Sequence, residues 1–106
     1  MDRERLKLLL YALHKRSFHN EQIIKHSLFC VCFHCKRLFY GREVTEWCDS
    51  DSIDNRTARC PYCGVDSVIG DKDGDIYIEP AMTELMNIQF FGDGIDSLEK
   101  IPYLDD

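Results

Sequence analysis

Apolar residues recur at Leu6, Leu9, Leu10 and Leu13, the i, i+3, i+4, i+7 spacing of one helix face. Asp2 stands where an N-cap belongs, and Lys15 and Arg16 suit the negative end of the helix dipole. Leu8, Tyr11 and Ala12 widen the apolar stripe, which predicts a helix that is largely buried or docked. Residues 17–25 fit either a short helix capped near Asn20 or an extended lead-in. From residue 26 the pattern turns to β-formers. HSLFCVCFHC reads as a strand entering a cysteine turn, and RLFYGREVTEW as its return, bent near Gly41. CDSDSIDNRT (48–57) reads as a polar surface loop, ARCPYCG as a second cysteine turn, and DKDGD (71–75) as a tight turn. IYIE (76–79) is a short strand candidate. Pro80 opens a second long helix, with Met82, Leu85, Met86 and Phe90 or Phe91 on one side and Gly92 after its end. The remainder mixes Ile95, Leu98, Ile101, Tyr103 and Leu104 with acids.

These elements make one α+β domain over residues 1–106. A helical segment occupies 1–26, a β-rich cysteine region 27–79, a helix 80–92 and an acidic tail 93–106. So short a chain has a modest core that a staple would strengthen, and its six cysteines could supply one. The first residues, MDRERLKLLLYALHKR, flank a short apolar run with charge. They lack a signal-peptide cleavage site and are too short to span a bilayer. The expectation is therefore a cytoplasmic protein with no membrane association, whose thiols stay reduced and favour metal over disulfides.

Cys32 and Cys35 form one C-x-x-C pair, Cys60 and Cys63 the other, with 24 residues between them. Two such turns can present four sulfurs tetrahedrally to Zn2+ at about 2.3 Å each. Backbone N–H groups after the first cysteine of each turn would aim at its sulfur and offset thiolate charge. Gly64 follows the second pair, where a small residue relieves crowding; Lys36 and Arg37 take the matching place in the first and add positive charge. A thioredoxin-type pair would need a C-x-x-C opening a helix in a βαβ setting, and that setting is missing. Cys30 reads as a small buried hydrophobe, Cys48 as a free thiol or spare ligand, and His34 as an exposed turn residue that would replace a cysteine only in a Cys3His variant.

The two cysteine turns, with strands between and after them, resemble a zinc ribbon over roughly residues 27–79. The longer string CPYCGVDSVIG, with a Met-, Leu- and Phe-rich helix behind it, resembles a group of small bacterial cytoplasmic proteins carrying a CPYCG-x-DSVIG signature. That resemblance implies the fold and four ligands, here Cys32, Cys35, Cys60 and Cys63. It brings no activity with it.

Charge and missing motifs narrow the function. Residues 1–48 carry nine Lys/Arg against five Asp/Glu, and residues 49–106 four against fourteen, for a net charge of −6. Zinc on four thiolates would add about −2. Four thiolates leave no position for a catalytic water, no H-E-x-x-H is present, and His14, His19 and His26 lack partners that would make a general base. A non-enzymatic protein is expected. DKDGD and DSDSID do not meet the calcium-loop pattern. An acidic module fits a protein partner with a basic surface, one version being an immunity- or antitoxin-like protein that neutralises a basic toxin. Nucleic-acid binding is the alternative, through Lys36, Arg37, Arg42, Arg56 and Arg59 with Phe39, Tyr40, Trp47 and Tyr62 for stacking.

Overall fold

The computed structural model describes residues 2–51, 54–72 and 74–101. The readings above that fall on Ser52, Ile53, Asp73, Tyr103 and Leu104 lie outside the described residues. Helix α1 spans Arg3–Lys15, and the Asp2 carboxylate accepts the Arg5 N–H at 2.8 Å, as its N-cap position requires. The ambiguous segment resolves into a five-residue helix, α2 (Glu21–Lys25). Strands β1 (Phe29–Cys32), β2 (Leu38–Tyr40), β3 (Trp47–Cys48), β4 (Thr57–Ala58) and β5 (Val68–Gly70) follow, then α3 (Pro80–Phe91). Short 3-10 turns lie at Gly41–Glu43 and Ile95–Ser97.

The strands form two antiparallel sheets, β2-β1-β5 and β3-β4. In the larger one Val31 sits opposite Ile69 and Cys32 opposite Val68. Side chains alternate across a strand, so this register sends Val31 and Ile69 to one face and Cys30, Cys32 and Val68 to the other. The first face packs on α1 and α3 with Leu6, Leu10, Phe33, Leu85 and Met86. The second packs on α2 and the β3-β4 hairpin with Ile24, Phe39, Ala58 and Cys60. Both faces are therefore covered, which explains why the β1 run is apolar at nearly every position rather than at every second one.

Three elements differ from the pattern's expectation. The return strand stops after Tyr40 because Gly41 lies against the α2–β1 corner, where an added Cβ would come 2.4 Å from the Ser27 carbonyl oxygen. The chain turns there and rejoins a separate sheet at Trp47. IYIE joins no ladder: Ile76 and Ile78 pack on the first core while Tyr77 is 85% exposed, a strand-like alternation with no strand beside it. At the end of α3 the left-handed residue is Gly94 (φ 86°), not Gly92, and both N–H groups reach the Ile88 carbonyl. The following segment folds back, with Ile95 and Ile101 fully buried.

Candidate metal centre

The two cysteine turns are built alike. The Cys32 N–H donates to the Arg37 carbonyl at 3.1 Å and the Lys36 N–H to the Cys32 carbonyl at 2.7 Å. In the second turn Cys60 donates to Val65 at 2.9 Å and Gly64 to Cys60 at 3.0 Å, at identical sequence offsets. Closing this way requires a left-handed residue after the second cysteine, met by Lys36 (φ 65°) and Gly64 (φ 82°). A Cβ at Gly64 would meet nothing within 4 Å, so its value there is conformational and crowding plays no part. The Tyr62 N–H points at the Cys60 sulfur at 3.4 Å. The N–H groups of Cys35 and His34 do the same for Cys32.

These turns bring together the four sulfurs of Cys32, Cys35, Cys60 and Cys63, all within 4.8 Å of one another. Cys32 and Cys63 are 3.6 Å apart, Cys35 and Cys60 3.8 Å. A tetrahedron of sulfurs about 2.3 Å from a central ion has edges of about 3.8 Å. All four are free thiols. The donor set and spacing thus fit a thiophilic divalent cation, and four residues lie close enough to hold one metal ion. Cys32 and Cys60 are buried, while Cys35 and Cys63 face outward.

Burial pushes the Cys32 thiol up to about 12, against the Ser67 hydroxyl at 3.2 Å and the turn's own N–H groups, which favour its thiolate. Burial also raises Cys63, opposed by the Val65 N–H. At Cys60 burial acts in the same sense, but the N–H groups of Cys63 and Tyr62 outweigh it and hold the thiol below its ordinary value. The buried sulfurs are thus prepared unequally. A cation entering here would displace thiol protons, so its affinity would fall with acidification.

Amide and carboxylate side chains fix the turns, and the sequence reading missed them. Asn20, fully buried, donates to the Val68 carbonyl at 2.8 Å and accepts the Ala58 N–H at 2.9 Å. It bridges β4 and β5, the two strands flanking the second turn, which do not pair with each other. It does not cap α2 through its side chain. Asn87 on α3 donates to the carbonyls of Phe33 and His34 in the first turn, at 3.0 and 2.9 Å. The buried Glu21 carboxylate takes a two-pronged bond from the Arg56 guanidinium at 2.9 and 2.8 Å and another from Lys25 at 2.7 Å. The only signal available was an Asn or Glu beside an apolar run, a pattern that caps and solvated faces share.

The remaining candidates separate cleanly. Cys30 is fully buried, and burial raises its thiol to about 12, consistent with a core residue. Cys48 pairs with Thr57 across β3-β4, outside the four-sulfur group. His34 is exposed, its ring edge-on to Phe91 at 4.6 Å. His14 departs from the surface role expected of it: its ring stacks on Phe90 at 4.2 Å, and burial holds its pKa down.

Of the basic residues, Arg56 is engaged by Glu21 and Lys36 by Glu84, while Phe39 is buried. Arg37 lies over Tyr62 at 4.2 Å and Arg42 over Tyr40 at 4.4 Å. Among the described residues, no helix is long and apolar enough to cross a membrane. No protein-family model matches the chain, and comparison with curated proteins and with solved structures returns no match.

Proposed function

We propose that Cys32, Cys35, Cys60 and Cys63 bind one Zn2+ as a closed, structural zinc-ribbon site, and that the protein is a non-enzymatic module that docks onto a basic protein. The carrying observation is the convergence of four sulfurs within 4.8 Å of one another, from two turns with the same hydrogen-bond pattern. Four thiolates fill the shell, so the metal would contribute folding energy and leave no place for a reacting water. The acidic side of the module is supported by the exposed carboxylates around the β3–β4 hairpin, among them Glu46, Asp49, Asp54 and Asp66, against a net charge of −6. Opposite charge would speed encounter with a basic partner, as an immunity- or antitoxin-like role in the cytoplasm would require.

Metal analysis should find one zinc per chain, and chelation should lower the thermal midpoint. A metal-free chain with an unchanged melting curve would remove the first half of the reading. For the second half, the tagged protein is recovered from its host at low salt, with mass spectrometry and a nucleic-acid assay on the eluate. A basic protein without nucleic acid supports the module. Recovered RNA or DNA instead favours the alternative, nucleic-acid binding, for which the Arg37–Tyr62 and Arg42–Tyr40 stacks beside the site are the specific observation.

A further inference from the structure

Helix α1 is apolar on more of its circumference than the domain covers. Leu6 and Leu10 fill the core, but Leu8 is 70% and Tyr11 52% exposed, with Ala12 exposed beside them. An amphipathic surface helix normally carries charge on that side. The exposed stripe runs Glu4, Leu8, Tyr11, Lys15, with spacings of four, three and four, the rhythm of a helix–helix seam. Its ends carry opposite charge. Glu4 lies four residues before Leu8 and Lys15 four after Tyr11, so the stripe is symmetric about its midpoint.

We infer that this face pairs with the same face of a second copy, the two α1 helices antiparallel about a two-fold axis. That operation sets Leu8 against Tyr11 of the second copy and Glu4 against Lys15, each contact occurring twice. The parallel alternative would place Glu4 on Glu4 and Lys15 on Lys15, like charges that disfavour it. Among the described residues Glu4 pairs with Lys7, at 3.3 Å, and its side chain is 82% exposed. The Tyr11 ring is already positioned by an edge contact with Phe90 at 5.5 Å, so little freedom is lost on docking. A 13-residue helix is about 20 Å long, and one such seam covers less than the roughly 800 Å² per partner of a tight interface. The dimer is therefore reversible. Nothing in this depends on the metal reading, because the stripe lies on the side of α1 away from the core.

Sedimentation of the intact protein from about 1 µM to about 1 mM tests this, the range over which so small an interface dissociates. The wild-type chain should pass from monomer to dimer. Leu8→Asp should stay monomeric throughout, with a melting temperature within about 3 °C of wild type because the site is exposed. Lys15→Glu and Glu4→Lys should each weaken the dimer about tenfold, since each substitution creates two repulsive pairs. The double variant Glu4→Lys/Lys15→Glu should recover to within about threefold of wild type. A wild-type monomer at the highest concentration, a dimer that survives Leu8→Asp, or a double variant no tighter than the singles overturns the proposal. So does a monomer that instead floats with phosphatidylcholine–phosphatidylserine vesicles, which would give the face to lipid.

Discussion

In the first cysteine turn Lys36 fills the left-handed position and in the second Gly64 does, although the backbone hydrogen bonds are the same in both. Their supports also differ. The first turn is capped from outside by Asn87 of α3, a half-buried side chain that reaches two carbonyls. The second is held from beneath by Asn20, which is fully buried and ties together strands with no ladder between them. Equivalent geometry at the sulfurs therefore rests on unequal foundations: one turn hangs from a continuous hairpin, the other from an amide. The second should be the more fragile half of the site.

The most severe test removes a ligand. Cys60→Ser or Cys32→Ser should abolish stoichiometric zinc and unfold the cysteine region, as should chelation. Cys30→Ala should keep one zinc per chain by metal analysis. Next comes the clasp around Glu21, on α2 beside the second turn. Its carboxyl is held well below the usual carboxylate range, first by Arg56 and then by Lys25. In the unfolded chain it takes up a proton near about 4.3, so its stabilisation is complete above that pH and is lost as pH falls toward the folded value. Glu21→Gln should flatten the acid limb of a stability-against-pH curve measured by urea unfolding; an unchanged limb would remove Glu21 from the account.

The amides compare the two supports directly. Asn20→Ala leaves the Ala58 N–H and the Val68 carbonyl buried without partners and should cost about 2–4 kcal/mol. Asn87→Ala, half-exposed, should cost about 1 kcal/mol. Equal losses in chemical denaturation would contradict the asymmetry. The smallest effects lie at the left-handed positions and have opposite signs. Gly64→Ala should lose about 1 kcal/mol, and Lys36→Gly should gain a few tenths, both read as melting-temperature shifts.

What could be read from residues alone follows from where the information lies. Helix α1 with its Asp2 cap, the start of α3 at Pro80, and the four sulfur positions are encoded by short-range spacing, and the structure bears these out. The Gly41 turn was legible only as a bend, because the reason for it is the Ser27 carbonyl fourteen positions away. IYIE has the alternation of a strand and lacks only a neighbour, which no local pattern reports. Asn20 reads only as a cap, and Glu21 draws no reading at all, because their partners, Ala58, Val68 and Arg56, lie far along the chain. The breadth of α1's apolar surface was legible; which part of it the domain leaves bare was not.

The position of Asn20 also sets an order of events. Its two partners follow it by 38 and 48 residues, and both cysteine turns come after it. On a ribosome, Asn20 emerges while the two strands it bridges are still unmade. The early pair of thiols has its own β1–β2 hairpin, but the later pair has no frame to aim it until Val68 has left the exit tunnel. If the four sulfurs bind a metal as proposed, its capture would belong to a nearly finished polypeptide, and truncations short of that point should be recognisable to the cell as unclosed chains.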